Sequence, residues 1–136
     1  MLFRSVQSTD WLERMLEVAE HPRVGIVGAA LVYPDGTIQH AGIEPTNDGD
    51  WQHVERGLSP DTLGDHVRSV SAVTGACLLM RRDRFVELGG FDEQFPVTHN
   101  DVDLCCRARR QGWLVAMTPR ARLVHFESLT RGYARS

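Results

Sequence analysis

Apolar and polar residues alternate along the chain with periods that divide it into helices and strands. Residues 9–21, TDWLERMLEVAEH, begin with two residue types that cap helices and place apolar side chains at helical spacing until Pro22 interrupts the pattern. Residues 24–33 are apolar almost without a break and rich in β-branched side chains, which is typical of a strand covered on both faces. The turn sequence Pro34-Asp35-Gly36 precedes TIQHAGI, which alternates like a partly exposed return strand and predicts a hairpin.

The segment from 43 to 67 lacks a regular pattern. It contains six acidic residues, two prolines and three glycines. A connection of this length without secondary structure is uncommon in a compact domain unless it is a binding loop or a lid, so we expect a long functional loop here. VSAVTGACLLMR, residues 70–81, then predicts a strand that is interrupted at Gly75.

The rest of the sequence predicts two helices followed by two strands. Residues 82–90, RDRFVELGG, form a short helix that glycine terminates, and residues 100–112, NDVDLCCRARRQG, form a second helix. WLVAMTP and ARLVHFE are two short strands separated at Pro119. The order α-β-β-loop-β-α-α-β-β indicates an α/β fold with a mixed β-sheet and flanking helices, in a single domain over residues 1–136.

Composition limits the classes of function. A chain of 136 residues that is 42% hydrophobic can form a core, and its net charge of −3 gives no basic surface for nucleic acid. No apolar run approaches the ~20 residues of a transmembrane segment, and the N-terminus lacks the regions of a signal peptide. The three cysteines have neither the number nor the spacing of a disulfide framework and are interpreted as packing residues. We expect a cytoplasmic protein that a partner could hold at the inner membrane face.

The sequence Asp101-Val102-Asp103 resembles a metal clamp, but its setting differs from that of a clamp. Such a pair usually follows a strand, whereas this one opens a predicted helix with Asn100 as its N-cap. Helical geometry separates the two carboxylates by about 200°. Asp101 shares its face with the apolar residues at i+3, i+4 and i+7, and Asp103 shares its face with two arginines, which is typical of a solvated side. Asp101 is therefore the candidate base, Asp103 is structural, and the pair is not a chelate.

Four stretches of the chain resemble the C-terminal, acceptor-side half of the family 2 glycosyltransferases, which have the GT-A fold. They are VGAALVYPDGTIQHAG, AVTGACLLMRRDRFVELGGFDEQFP, NDVDLCCRARRQGW and TPRARLVHFESLTRG, and they occur in the family's order with similar spacing. The resemblance implies an incomplete GT-A-like fold and an inverting transfer of a sugar from a nucleotide-sugar to a glycan or lipid-linked acceptor. It also implies a role in cell-wall or polysaccharide biosynthesis and a divalent cation, Mn²⁺ or Mg²⁺, in the complete enzyme.

The same resemblance implies roles for individual residues. Asp101 matches the carboxylate that removes the acceptor's proton, in a segment that is usually Glu-Asp and here reads Asn100-Asp101. His125 is similar to a metal-binding histidine, and Arg131 is similar to a basic residue that meets the diphosphate. Gly75-Ala76 resembles the bend that lines the sugar pocket, and the 43–67 loop would lie over the acceptor.

Other side chains allow more than one interpretation. Trp51, in the acidic loop, either stacks on a sugar ring or packs down to bury its own surface. His40, His53 and His66 are scattered through hairpin and loop, and solvated roles suffice for them.

The matching stretches do not include the family's N-terminal nucleotide-binding half, which carries the metal-binding Asp-X-Asp. We therefore expect a truncated domain that is inactive alone, with its open sheet edge and apolar face covered by the missing half or by a second copy in a homo-oligomer. Two alternatives stay open. One is a non-catalytic carbohydrate-binding or protein-interaction module, and the other is an autonomous metal enzyme that uses His99, Asp101 and Asp103.

Overall fold

The computed structural model describes residues 4–6, 9–92 and 97–125, with the side chains of 4–6 and 97–99 left out of the description. Its elements are strands, helices and one 3₁₀ turn. They are β1 (Arg4–Val6), α1 (Trp11–Ala19), β2 (Val24–Val32), β3 (Ile38–His40), β4 (Ile43–Pro45), β5 (Trp51–His53), a 3₁₀ turn (Pro60–Thr62), β6 (Arg68–Ser69), β7 (Leu78–Met80), α2 (Arg82–Glu87), α3 (Val97–Arg110) and β8 (Leu114–His125).

The two longest strands, β2 and β8, run parallel at the centre of a mixed six-stranded sheet. The outer edge of β2 pairs antiparallel with β7 and then with β3. The outer edge of β8 pairs antiparallel with β6 and then with β1. This arrangement confirms the predicted α/β fold with a mixed sheet and flanking helices.

Strand β2 is buried along its whole length, as its unbroken apolar sequence predicted. Helix α1 covers one face of the sheet, where Met15 packs among Val27, Leu31 and Leu123. Helix α3 covers the other face with Leu104 and its neighbours. Burial of a side chain such as Met15 contributes about 1.5–3 kcal/mol, so the two apolar layers account for much of the driving force that holds the sheet between its helices.

The C-terminal sequence forms one strand, whereas the sequence predicted two strands separated at Pro119. In β8, Thr118 pairs with Ala29 and Arg122 pairs with Ala30, so residues 119–121 bulge out of the ladder. Proline has no N–H to donate, and a bulge accommodates it because the extra residues do not need a ladder partner. The predicted break is therefore real, but the strand continues past it.

The prediction that residues 43–67 have no regular structure was wrong. Strands β4 and β5 pair antiparallel within this segment, and Pro45 lies opposite Trp51. The acidic side chains close the turn between them, because the side chain of Asp48 accepts hydrogen bonds from the Thr46 hydroxyl and from the Asp50 N–H. Turn-capping Asp residues thus produce a hairpin from a sequence with little hydrophobic periodicity.

Strand β3 is fully buried, although its sequence predicted partial exposure. Backbone from the following connection covers its outer edge. The N–H of Ile38 donates to the carbonyl of Leu58 at 2.8 Å, and the N–H of Gly57 donates to the carbonyl of Ile38 at 2.7 Å. The guanidinium of Arg56 donates to the carbonyl of Gln39 at 3.1 Å. The strand is therefore an interior element.

Helix α3 begins at Val97, so Asn100 lies inside it and is not the N-cap that the sequence predicted. Its end at Arg110 and the left-handed Gly112 that follows agree with the predicted stop. Within the described parts of the chain, no helix is both long enough and apolar enough to cross a membrane.

Candidate functional site

Asp101 lies at the partly exposed end of the buried face of α3. The apolar residues that share this face, Leu104, Cys105 and Ala108, are completely buried, as predicted. The carboxylate of Asp101 is held by backbone: Gly75 N–H donates to Oδ2 at 2.8 Å and Val102 N–H donates to Oδ1 at 2.8 Å. Because each carboxylate oxygen has a second lone pair, the group can still accept a proton from a ligand.

Asp103 points to a different side of the helix. Its Oδ2 accepts Arg107 Nε at 2.9 Å, while the two terminal nitrogens of Arg107 donate to the carbonyls of Leu88 and Gly90 at 2.7 and 2.6 Å. The sequence predicted that this face is solvated, but the ion pair is largely buried. Only 16% of the Asp103 side chain and 21% of the Arg107 side chain are exposed. Asp103 is thus structural, as predicted, and it does not converge with Asp101 as a set with His99 would require.

The segment between β6 and β7 brings Gly75 to Asp101. It crosses the face of the sheet beneath α3, and at the crossing Val73 lies so close to Gly28 that a Cβ on that glycine would be 2.6 Å from Val73 Cβ. Real Cβ atoms essentially never approach another atom this closely, so any side chain at position 28 would displace Val73. The segment is held further by the thiol of Cys105, which donates to the carbonyl of Val73 at 3.9 Å.

Side-chain groups hold three consecutive amides in this segment. Thr74 N–H donates to His40 Nε2 at 3.4 Å, Gly75 N–H donates to Asp101, and Ala76 N–H donates to the Thr74 hydroxyl oxygen at 3.3 Å. The predicted interruption of the strand at Gly75 is present, since β7 begins only at Leu78. Ala76 is half-buried and packs against the α1 layer.

His40 was wrongly interpreted as a solvated histidine. Its side chain is 1% exposed, and its Nδ1 lies 3.0 Å from Nδ1 of His53, on β5. Burial lowers the pKa of His40 well below its usual range, and repulsion from His53 and Arg56 acts in the same direction. The imidazole is therefore neutral. The sequence signal for this role, a histidine in a short strand after a tight turn, is too common to distinguish it from a surface residue.

His125 ends β8 and is 3% exposed, with its Nδ1 3.1 Å from the side-chain oxygen of Gln39. An amide oxygen only accepts hydrogen bonds, so in the neutral ring Nδ1 carries the proton and Nε2 carries a lone pair. Metal-binding histidines commonly donate their other ring nitrogen to an oxygen in this way. Among the side chains that the structure describes, those of residues 9–92 and 100–125, no group of three or more His, Cys, Asp or Glu is arranged to hold a metal. The side chain of His99 lies outside that part. His125 therefore fits as one ligand of a cation and not as a complete site.

The other candidates occupy different environments. Trp51 is half-buried and packs against the core, which agrees with its packing interpretation. Asn100 is half-buried and is the fourth residue of α3. Arg131 lies outside the described residues.

The fold is similar to that of a crystal structure of GalNAc-T7 with UDP, GalNAc and Mn²⁺. The TM-score is 0.68 at 15% sequence identity, over 90% of this chain and 26% of that chain. At this identity the similarity concerns the fold alone, and its coverage shows that the present chain forms part of a GT-A architecture.

Two named relatives align along most of this chain. The O-antigen biosynthesis protein RfbC of Myxococcus xanthus is 39% identical over 132 residues, which are 93% of this chain and 10% of that protein. The N-acetylglucosaminyl-diphospho-decaprenol L-rhamnosyltransferase of Mycobacterium tuberculosis is 30% identical over 139 residues, which cover 89% of this chain and 44% of that protein. The chain thus spans less than half the length of these relatives. The family model described as glycosyltransferase like family 2 matches residues 5–134, and the chain belongs to that family.

Proposed function

We propose that the chain is the acceptor-side part of an inverting glycosyltransferase in which Asp101 is the general base. The observation that carries this proposal is the divergence of Asp101 from Asp103, because it leaves one carboxylate anchored by Gly75 and partly exposed while the other is committed to Arg107. The complete enzyme would transfer a sugar from a nucleotide-sugar to a glycan or lipid-linked acceptor. The names of the relatives, which concern O-antigen biosynthesis and a polyprenol-linked rhamnosyl transfer, support that class of acceptor.

The proposed role of Asp101 follows from the proton balance of the reaction. The acceptor oxygen forms a bond to the anomeric carbon while the bond from that carbon to the diphosphate breaks, and the hydroxyl proton passes to a carboxylate oxygen of Asp101. The carboxylate is fixed for this transfer because Gly75 N–H holds Oδ2 and because the apolar face of α3 anchors the helix in the core. Fixed orientation of a base contributes to rate because less motion has to be frozen in the transition state.

Other residues are proposed as contacts with substrates and cation. Gly75 and Ala76 would line the sugar site, Asn100 would lie beside it, and Arg131 would meet the diphosphate. His125 would supply one ligand, through Nε2, to a Mn²⁺ or Mg²⁺ ion. Such an ion, when bound, would neutralise charge on the departing diphosphate.

The hairpin β4–β5 is proposed to lie on the acceptor side of the site, with Trp51 as a candidate contact for a sugar ring. The support is its connection to the base: His53 of the hairpin lies 3.0 Å from His40, which in turn accepts the N–H of Thr74 beside Gly75. The hairpin and residues 74–76, which hold the base, are therefore connected through His40.

We also propose that helix α1 packs against further polypeptide, either a nucleotide-binding half or a second copy. Leu12 and Leu16, one turn apart on α1, are 43% and 45% exposed. Light scattering of the 136-residue chain tests the second-copy form of this proposal, which a stable monomer at all concentrations would contradict.

The decisive experiment compares Asp101→Asn with Asp103→Asn in the full-length gene product. Transfer is measured from a panel of nucleotide-sugars, with Mn²⁺, to free and polyprenyl-diphosphate-linked glycans. We expect Asp101→Asn to lower kcat by about 10²–10⁴-fold, since that is the usual contribution of a general base. Asp103→Asn should keep most of its turnover once folded.

Turnover by Asp101→Asn at the wild-type rate would overturn the assignment of the base. A wild-type protein that binds an acceptor glycan without transferring any sugar would instead favour the non-catalytic carbohydrate-binding module.

A further inference from the structure

His40 contacts both the β4–β5 hairpin and residues 74–76, which the proposed function places at the acceptor and beside the base. On one side it meets His53 of the β4–β5 hairpin at 3.0 Å, and on the other its Nε2 accepts the N–H of Thr74 at 3.4 Å. The next amide, that of Gly75, donates to Asp101 at 2.8 Å. Residues 74–76 pair with no strand in the described part of the chain, and side-chain atoms accept all three of their backbone N–H groups.

The hydrogen bonds determine the tautomers of both histidines. Because Nε2 of His40 accepts from an amide, the single proton of the neutral ring is on Nδ1. That nitrogen donates to His53 Nδ1, which must therefore be unprotonated, and His53 carries its own proton on Nε2. His40 thus donates from Nδ1 to His53 in the hairpin, and its Nε2 accepts the N–H of Thr74.

We propose that His40 is a positioning residue for Asp101, which it orients through the consecutive amides of Thr74 and Gly75 while His53 ties the same ring to the acceptor-side hairpin. This inference rests on the proposed role of Asp101 as the base. His40 does not touch the reacting atoms. A shift of the Thr74–Gly75 peptide would move the N–H that holds Oδ2, and with it the direction in which the carboxylate faces the acceptor.

Two substitutions separate this role from simple packing. The amide of glutamine reaches the place of Nε2, so His40→Gln can still accept the Thr74 N–H. The amide of asparagine reaches only the place of Nδ1, so His40→Asn can still meet His53 but loses the acceptor for Thr74. Both variants remove the imidazole and leave smaller side chains in the core. If His40 only fills space, the shorter asparagine and the longer glutamine differ merely in volume, and neither should move the Gly75 amide selectively.

The first measurement is NMR spectroscopy of the ¹⁵N-labelled 136-residue chain. We expect His40→Asn to move the Gly75 amide resonance toward its position in Asp101→Asn and to raise its hydrogen-exchange rate about tenfold, which is the effect of losing roughly one hydrogen bond. His40→Gln should keep the wild-type resonance and rate. Unchanged resonances of the β2 and β8 amides show that each variant is folded. A Gly75 amide that is unaffected in His40→Asn, or affected equally in both variants, overturns the inference.

A second measurement needs no variant and covers the case in which His40→Asn does not fold. A ¹⁵N–¹⁵N coupling across the hydrogen bond from the Thr74 amide to His40 Nε2, together with a proton on Nδ1, supports the inference. A His40 ring protonated on Nε2 overturns it, since that nitrogen could then not accept from Thr74.

Kinetics on the full-length gene product separate failure of this inference from failure of the proposed function. We expect His40→Asn to lower kcat about ten- to a hundredfold with little change in KM for the acceptor, and His40→Gln to restore most of kcat, because a displaced base affects the chemical step. Equal loss in both variants, while Asp101→Asn is inactive, overturns the positioning role alone. Full activity of Asp101→Asn overturns the proposed base and this inference with it, whatever the NMR result.

Discussion

The backbone N–H of Gly75 donates to the carboxylate of Asp101 at 2.8 Å, although the two residues are 26 positions apart in the chain. The contact exists because the segment before β7 crosses the sheet beneath α3 instead of extending it. The segment can cross at this place because Gly28 has no side chain. The crossing in turn positions the Gly75 N–H that holds the Asp101 carboxylate. A position in the middle of a buried strand therefore controls the geometry of the candidate base.

Gly28→Ala should destabilise the protein by about 1–3 kcal/mol, because overpacking of a core has that cost. The added Cβ would be 2.6 Å from two atoms of Val73, so the crossing segment must shift. The change is measured as the free energy of unfolding in urea. Gly75→Ala is the matched control, since its Cβ would lie 3.5 Å from Asp101 Cβ, at ordinary contact distance. Equal stability of the two variants would show that the crossing segment packs loosely against Gly28.

Asp103→Asn should lower the free energy of unfolding by about 1–3 kcal/mol, the cost of weakening a charge-assisted hydrogen bond in a partly buried place. The side chain holds Arg107, which in turn holds the carbonyls that follow α2. Arg107→Met should lower the free energy of unfolding further, because it also removes the donor to the carbonyls of Leu88 and Gly90. Asp83→Asn is a suitable control, as its pair with Arg81 is exposed and contributes little. The prediction fails if Asp103→Asn and Asp83→Asn have the same stability.

The sequence was sufficient for features that one element determines by itself. The buried strand β2 and the apolar face of α3 follow from periodicity, and helical geometry alone separated Asp101 from Asp103. The family resemblance added the candidate base. Each of these conclusions needs only residues within a few positions of one another.

Features that depend on distant contacts could not be predicted. The burial of His40 arises because residues 56–58 return to cover β3, and no local pattern indicates that return. The β4–β5 hairpin was missed because its turn is closed by polar hydrogen bonds instead of hydrophobic alternation. The start of α3 was placed at Asn100 because capping residue types are also common inside helices.

Protonation of His40 should make the protein less stable in mild acid. Burial lowers the pKa of His40 in the folded state, whereas the unfolded chain binds a proton near the usual value of about 6.5. Stability is therefore fully present above that value and is lost as the pH falls below it, because only the unfolded state takes up the proton. Between pH 7.5 and 5.5 this group alone should remove about 1.4 kcal/mol.

The measurement is the difference in the free energy of unfolding between the two pH values, for the wild type and for His40→Gln. Titratable groups that do not contact His40 contribute equally to both proteins, so the comparison isolates His40 together with its neighbour His53. We expect the variant to lose less stability than the wild type on acidification. Identical pH dependence would mean that His40 takes up its proton as readily in the folded state as in the unfolded chain.

The three cysteines should differ sharply in their reactivity. Burial raises the pKa of the Cys105 thiol to about 12, and the nearby carboxylate of Asp101 acts in the same direction. Since the thiolate is the reactive form, Cys105 in the folded protein should react more than about a thousandfold more slowly at pH 8 than a thiol of ordinary pKa.

Cys77 is also buried, and Cys106 is half-buried. Alkylation at pH 8 followed by mass mapping should therefore label Cys106 first. Cys106→Ser should remove the fast phase and Cys105→Ser should leave it unchanged, whereas early labelling of Cys105 would show that α3 separates readily from the crossing segment.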